Sequence, residues 1–172
     1  MPPVVESFPP IARPDARVLV LGSMPGIASL AAGQYYAHPR NAFWPIVGEA
    51  CDVDPGEPYA DRCVALERAK VAVWDALKSC RREGSLDAAI DRDSEQPNDF
   101  AAFFAEHREV QRVLFNGQKA ETAFRRHAVS MLPADVAARL TTERLPSTSP
   151  ANAGVSFDRK RALWLAALRA GD

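Results

Sequence analysis

Four short runs punctuate the chain: RVLVLG at 17–22, KVAVWD at 70–75, VQRVLFNG at 110–117 and LTTERLP at 140–146. The first three are apolar and close on a glycine or a polar residue, as strands buried on both faces do; the fourth is more polar but has strand-forming threonines. Between them the apolar residues change to helical spacing. NAFWPIVGEAC (41–51), PYADRCVALERA (58–69), PNDFAAFFAEH (97–107) and QKAETAFRRHAV (118–129) all predict helices. SFDRKRALWLAALRA (156–170) is the clearest, with Ser156 as its cap and Leu163, Ala166, Ala167 and Ala170 as one face. Residues 1–16 hold five prolines and predict an extended arm, and REGSLDAAIDRDSEQPN (82–98) predicts a polar loop with a short helix.

Strands that alternate with helices predict an α/β fold with a parallel sheet covered on both faces. Nothing along residues 1–172 marks a repeat or a domain boundary, so the expectation is one domain preceded by the proline-rich arm. In such sheets ligands gather beyond the carboxyl ends of the strands. Those ends are Gly22–Gly26, Asp75, Asn116–Gly117 and Pro146–Asn152.

Composition narrows the picture only a little. At 172 residues, 47% hydrophobic and 25% charged, the chain has the balance of a globular domain. It has no apolar run of membrane-span length and no signal-peptide pattern at its start, which predicts a cytoplasmic protein with no membrane partner. Cys51, Cys63 and Cys80 and the three histidines fall in no ligand spacing, so no metal and no cofactor are expected. Net charge is −1, yet residues 83–106 carry seven acids against one base, and residues 108–169 eleven bases against five acids. That asymmetry permits a basic face, and with it a nucleic-acid partner.

The candidate chemistry lies at the strand ends. Gly22 and Gly26, stiffened by Pro25, allow close backbone approach to a carbonyl or anionic oxygen, though an ordinary strand–helix turn has the same composition. Tyr35 and Tyr36 suit either stacking on a planar ligand or packing at the surface. Asn41 is placed either to cap a helix or to orient a water molecule. Ser147, Thr148 and Ser149 offer hydroxyls to phosphate oxygens, or form a solvated loop. Lys119, Arg125 and Arg126 form either a phosphate-attracting face or a solvated helix surface.

Together these motifs resemble the uracil-DNA glycosylase superfamily. Its mismatch-specific members open with a G-x-N-P-G turn, then a short loop with an aromatic, then A-H-P-x-N-x-F-W. Here the corresponding residues are Gly22-Ser23-Met24-Pro25-Gly26, Tyr35-Tyr36, and Ala37-His38-Pro39-Arg40-Asn41-Ala42-Phe43-Trp44. LFNGQKA (114–120) is similar to the superfamily's third strand and the helix after it, and STSPAN (147–152) to its second motif. The resemblance runs over roughly residues 7–168.

Two positions depart from the common pattern. Met24 stands where the water-activating Asn or Asp usually does, and Ser147 stands where the later motif has His or Asn. Both exchanges resemble the hypoxanthine-DNA glycosylase branch, whose catalytic asparagine lies in the His-Pro-x-Asn segment, here Asn41.

The resemblance implies a three-layer αβα sandwich around a central, mainly parallel four-stranded sheet. It implies hydrolysis of the N-glycosidic bond of a deaminated base in DNA, most directly hypoxanthine; an enzyme gripping one flipped nucleotide has no need of symmetry, so a monomer is expected. Asn41 would be catalytic. Gly22, Ser23, Met24, Pro25, Tyr36, Phe43, Asp75 and Asn116 would surround the base. Ser147, Thr148, Ser149, Ala151, Asn152 and Lys119 would meet the DNA. Uracil excision from mismatches and a non-catalytic damaged-DNA binder are the alternatives. A P-loop hydrolase ranks last, because G-x-x-x-x-G-K-[ST] is absent from the sequence.

Overall fold

The computed structural model describes residues 1–170. Its central sheet joins β2 (Val18–Gly22), β3 (Val71–Asp75), β6 (Arg112–Asn116) and β7 (Thr141–Leu145) in the order β3-β2-β6-β7, all parallel. All four strands are those expected from the apolar runs. Every residue of β2 and β3 is buried, which is why those segments are uniformly apolar rather than alternating. β7, at the edge, buries only Leu145. The register sets Gly22 beside Asp75 and Asn116 beside Leu145, so the four strands end level with one another.

Helices α1 (Ile27–Ala32), α2 (Phe43–Ala50), α3 (Tyr59–Arg68), α4 (Phe100–Glu106), α5 (Gln118–His127), α6 (Ala134–Arg139) and α7 (Phe157–Arg169) flank the sheet. α1 and α6 are six-residue helices that the sequence pattern does not announce. Asp99 caps α4 by accepting from Ala102 N, and Ser156 caps α7 by accepting from Arg159 N. The buried stripe of α7 is rotated from the expected one: Lys160, Trp164, Leu165 and Ala167 face inward, whereas Ala166 and Ala170 are exposed. The displacement arises because a buried lysine and a tryptophan one turn apart lead the inward face. Each tryptophan indole donates to a loop carbonyl: Trp44 to Tyr35 O at 2.9 Å, Trp74 to Phe8 O at 3.0 Å and Trp164 to Pro146 O at 2.9 Å.

One segment differs from expectation: the polar stretch after β3 is a hairpin of β4 (Leu77–Arg82) and β5 (Ile90–Pro97), with a single 3₁₀ turn at Asp87–Ala89 between them. The proline-rich arm is docked against that hairpin. Its β1 (Val4–Glu6) pairs antiparallel with β4, completing a second sheet of order β1-β4-β5, and Ile11 bridges to Val73. No helix among the described residues is long and apolar enough to cross a membrane.

Candidate active site

An open cleft of about 900 Å³ lies over the carboxyl ends of the parallel strands, where the sheet topology places it. Gly22, Asp75 and Asn116 contribute to its floor, and residues 23–29, Tyr35, Tyr36, His38, Asn41 and residues 85–88 and 144–152 surround them.

The floor is built around a missing side chain. A Cβ on Gly22 would lie 2.5 Å from Asp75 Oδ1 and 2.9 Å from Tyr36 Oη. Only glycine therefore lets the carboxyl and the phenol close over the backbone at this point. Tyr36 reaches the position from a left-handed backbone conformation (φ 54°). Its ring stacks on Phe43 with centroids 4.0 Å apart and planes 17° apart. Phe43 is fully buried and does not line the cleft. Its part is to back the Tyr36 ring rather than to meet a base.

Tyr36 Oη and Asp75 Oδ2 are both buried with no hydrogen-bond partner among the described residues. Burial and the Asp75 charge raise the Tyr36 phenol well above its ordinary range. Burial first, then the charge of Asp87, push the Asp75 carboxyl up to about 7, while Arg82 acts in the opposite direction. Orphaned buried polar atoms are rare in native proteins and concentrate where a ligand completes them.

The G-S-M-P-G turn is tied to the hairpin that the sequence pattern leaves as a loop. Ser23 Oγ donates to Asp87 Oδ1 at 2.6 Å, and Ile27 N donates to Ser85 Oγ at 2.8 Å. Arg82, only 1% exposed, donates through Nη2 to Pro25 O and through Nε to Gly84 O. Arg82 and Asp87 are the residues that sequence reasoning misses here. Each sits in a charge-rich stretch with no periodic signal, and only the fold carries them to the turn. Met24 is buried at the cleft and brings no oxygen or nitrogen from its side chain.

Asn41 stands just before α2 and faces the cleft. Its Oδ1 accepts from Phe43 N at 2.9 Å, holding the start of α2, while the residue lines the cleft and is partly exposed. The next residue, Ala42, donates its N–H to Thr148 O at 3.0 Å, so the Asn41 segment and the 147–152 loop are fixed to one another.

That loop is closed on itself. Asn116 Nδ2 donates to Thr148 Oγ1 and Asn116 Oδ1 accepts from Thr148 N, both at 2.9 Å. Thr148 is fully buried at the cleft wall and acts as a brace, its hydroxyl engaged by Asn116. Asn116 lines the cleft with an amide already engaged in that brace. Ser147 Oγ accepts from Ser149 N, and Ser149 Oγ accepts from Ala151 N. Asn152 Nδ2 donates to Ser147 O, and the buried Lys160 donates to Ser149 O.

Ser147, Ser149, Ala151 and Asn152 all line the cleft, whereas Lys119 does not. The Lys119 ammonium is paired with Glu95, a carboxylate buried on β5 that also accepts from or bonds with His127 Nε2 at 2.7 Å. The cation expected at the DNA is thus neutralised inside the fold. Arg125 and Arg126 lie exposed on α5, away from the cleft, while Arg144 lines it and has only a weak, exposed partner in Glu121 at 3.8 Å.

The fold is an α/β protein with a parallel sheet and a glycine-floored cleft, lined with polar side chains, at the strand ends. Comparison with known proteins gives the family. The family model described as Uracil DNA glycosylase superfamily matches residues 9–169, and the chain belongs to that superfamily. A relative named hypoxanthine DNA glycosylase from Methanosarcina barkeri (strain Fusaro) is 37% identical over 116 residues, 67% of this chain and 72% of the relative. Another of that name, from Methanosarcina acetivorans, is 30% identical over 167 residues, 96% and 99% of the two chains. The solution NMR structure of a candidate uracil DNA glycosylase from Methanosarcina acetivorans superposes with a TM-score of 0.78 at 30% identity, covering 97% of this chain and 98% of that one.

Proposed function

We propose that this DNA glycosylase removes hypoxanthine from DNA by hydrolysing the N-glycosidic bond, leaving an abasic site. The observation that carries the reading is a pair of buried side chains closing over Gly22, Tyr36 through Oη and Asp75 through Oδ1, with Tyr36 Oη and Asp75 Oδ2 left without partners among the described residues. The names of the two relatives agree with it.

The target nucleotide leaves the duplex at a cost of a few kcal/mol, less for a poorly paired base, which favours deaminated bases over normal pairs. The Tyr36 ring, backed by Phe43, offers the base its aromatic surface, and Asp75 meets its polar edge. Asn41 holds a water molecule against C1′ as the sugar gains oxocarbenium character. Its anchoring on Phe43 N fixes that amide before substrate arrives, which is the preorganisation that catalysis of this type needs. Met24 offers no alternative water ligand. Ser147, Ser149 and Asn152 present a prearranged edge to the phosphates, and Arg144 adds sequence-independent attraction. One flipped nucleotide occupies one cleft, so the protein acts as a monomer, in the cytoplasm, with damaged DNA as its partner.

End-labelled duplexes containing one hypoxanthine, uracil or xanthine test the reading, with alkaline cleavage of abasic sites as readout. Strand breaks at hypoxanthine are expected, with Asn41→Ala reducing the rate by about 10²–10³-fold. Breaks at uracil alone would change the substrate assignment. Binding of all duplexes without any break would make the protein a damaged-DNA binder.

A further inference from the structure

Asp75 lies at the cleft floor with no salt bridge among the described residues, although the Arg82 charge acts to lower its carboxyl. The buried Arg82 is turned to the carbonyls of Pro25 and Gly84. Asp87, held on the hairpin by Ser23, adds a second negative charge that bears on Asp75. The phenols of Tyr36 and Tyr35 lie close by and, raised by burial, remain neutral. A carboxylate in this position would be a desolvated anion near another anion, with no donor on Oδ2. The environment therefore stabilises the neutral acid.

We propose that Asp75 is a general acid, passing its carboxyl proton to a ring nitrogen of the purine as the bond between C1′ and N9 breaks. The inference rests on the hypoxanthine reading of the cleft. The electron pair of the broken bond goes to the base, which departs neutral, and Asp75 remains as the carboxylate. Water adds through its oxygen to C1′ and releases one proton to solvent, from which Asp75 is reprotonated. A purine retains a basic ring nitrogen for this transfer, whereas uracil offers only carbonyl oxygens, so the step selects for purine release. Burial and Asp87 bring the carboxyl to about 7, where donor and conjugate base interconvert near neutral pH.

The test is single-turnover excision of hypoxanthine by the full chain from about pH 5.5 to 9, wild type beside Asp75→Asn. The amide keeps the shape and an N–H donor but has no proton to give. The wild-type rate should fall about tenfold per pH unit above about 7, while the variant is about 10²-fold slower at pH 6 and flat. Asp87→Asn should move the wild-type break to lower pH without flattening it. Equal pH profiles for wild type and Asp75→Asn would overturn the proposal.

Infrared difference spectra of the free proteins provide a readout independent of turnover. A carboxylic acid band present in wild type, absent from Asp75→Asn and lost as pH passes about 7 is expected. A carboxylate signal at every pH in that range would also overturn it. Wild-type protein that releases no hypoxanthine at any pH would bring down the reading of the cleft and the proposal with it, a result distinct from equal profiles in active proteins.

Discussion

Along residues 147–152 the short polar side chains are occupied: Ser147 and Ser149 accept from the backbone ahead of them, Asn152 reaches back to Ser147 O, and Asn116 grips Thr148 through both atoms of its amide. On the floor of the same cleft, Tyr36 Oη and Asp75 Oδ2 are buried without partners. One side of the cleft is finished before any ligand arrives, and the other is left incomplete. A surface that grips a repeating backbone benefits from being rigid in advance, because ordering a loop on binding costs about 0.5–1.5 kcal/mol for each immobilised side chain. A pocket that must discriminate benefits from groups whose desolvation is offset only by the right ligand, because a wrong ligand leaves them unpaired.

The sharpest way to break this contrast is to fill the floor. Gly22→Ala places a methyl 2.5 Å from Asp75 Oδ1 and 2.9 Å from Tyr36 Oη. Single-turnover kinetics should show a fall of about 10²-fold or more, since displacements of about 1 Å at a reacting centre have that effect. Binding to undamaged duplex through the 147–152 side should persist.

Next in size is the stability cost of Asp75 itself. Its folded-state value of about 7 lies above its ordinary 3.8. The stability it contributes is complete below about pH 4 and is lost as pH rises through 7. Asp75→Asn should therefore gain on wild type across that interval, by roughly 4 kcal/mol between pH 4 and pH 8 in urea unfolding, and hold that gain above it. A gap that narrows with rising pH would show the opposite linkage.

On the finished side, Asn116→Ala removes both bonds to Thr148 and should cost about 1–3 kcal/mol of stability, with weaker duplex binding in a titration. The smallest effect is expected at Lys119. Lys119→Gln leaves the buried Glu95 short of a partner and lowers the melting temperature, yet the slope of log affinity against log salt should stay unchanged. A loss of about 0.9 in that slope would instead mark one lost phosphate contact.

The strands that build the floor were legible because β2 and β3 are buried on both faces and must be apolar throughout. The motif residues lie where their spacing suggests: Gly22, Asp75 and Asn116 at strand ends, Asn41 at the start of a helix. The hairpin was not legible. β4 buries Leu77, Cys80 and Arg82 while Lys78 is exposed and Ser79 and Arg81 are intermediate, and a buried arginine reads as polar in any one-dimensional pattern. The same masking by Lys160 turned the inward face of α7 away from the expected stripe. Lys119 was misplaced for a related reason. Its partner Glu95 lies on another element, and sequence spacing carries no sign of the pair.

The docking of the N-terminal arm has a consequence for the order in which the cleft can be assembled. Val5 pairs with Cys80, and the carbonyls of Phe8 and Pro9 receive the Tyr35 hydroxyl next to the residue that closes over Gly22. Val5 and its strand partner stand more than seventy residues apart, and Thr148, the brace of Asn116, follows later still. Such long-range closure slows folding. During synthesis the Tyr35–Tyr36 platform therefore precedes its long-range partners, and the cleft is complete only once residues 147–152 have been made.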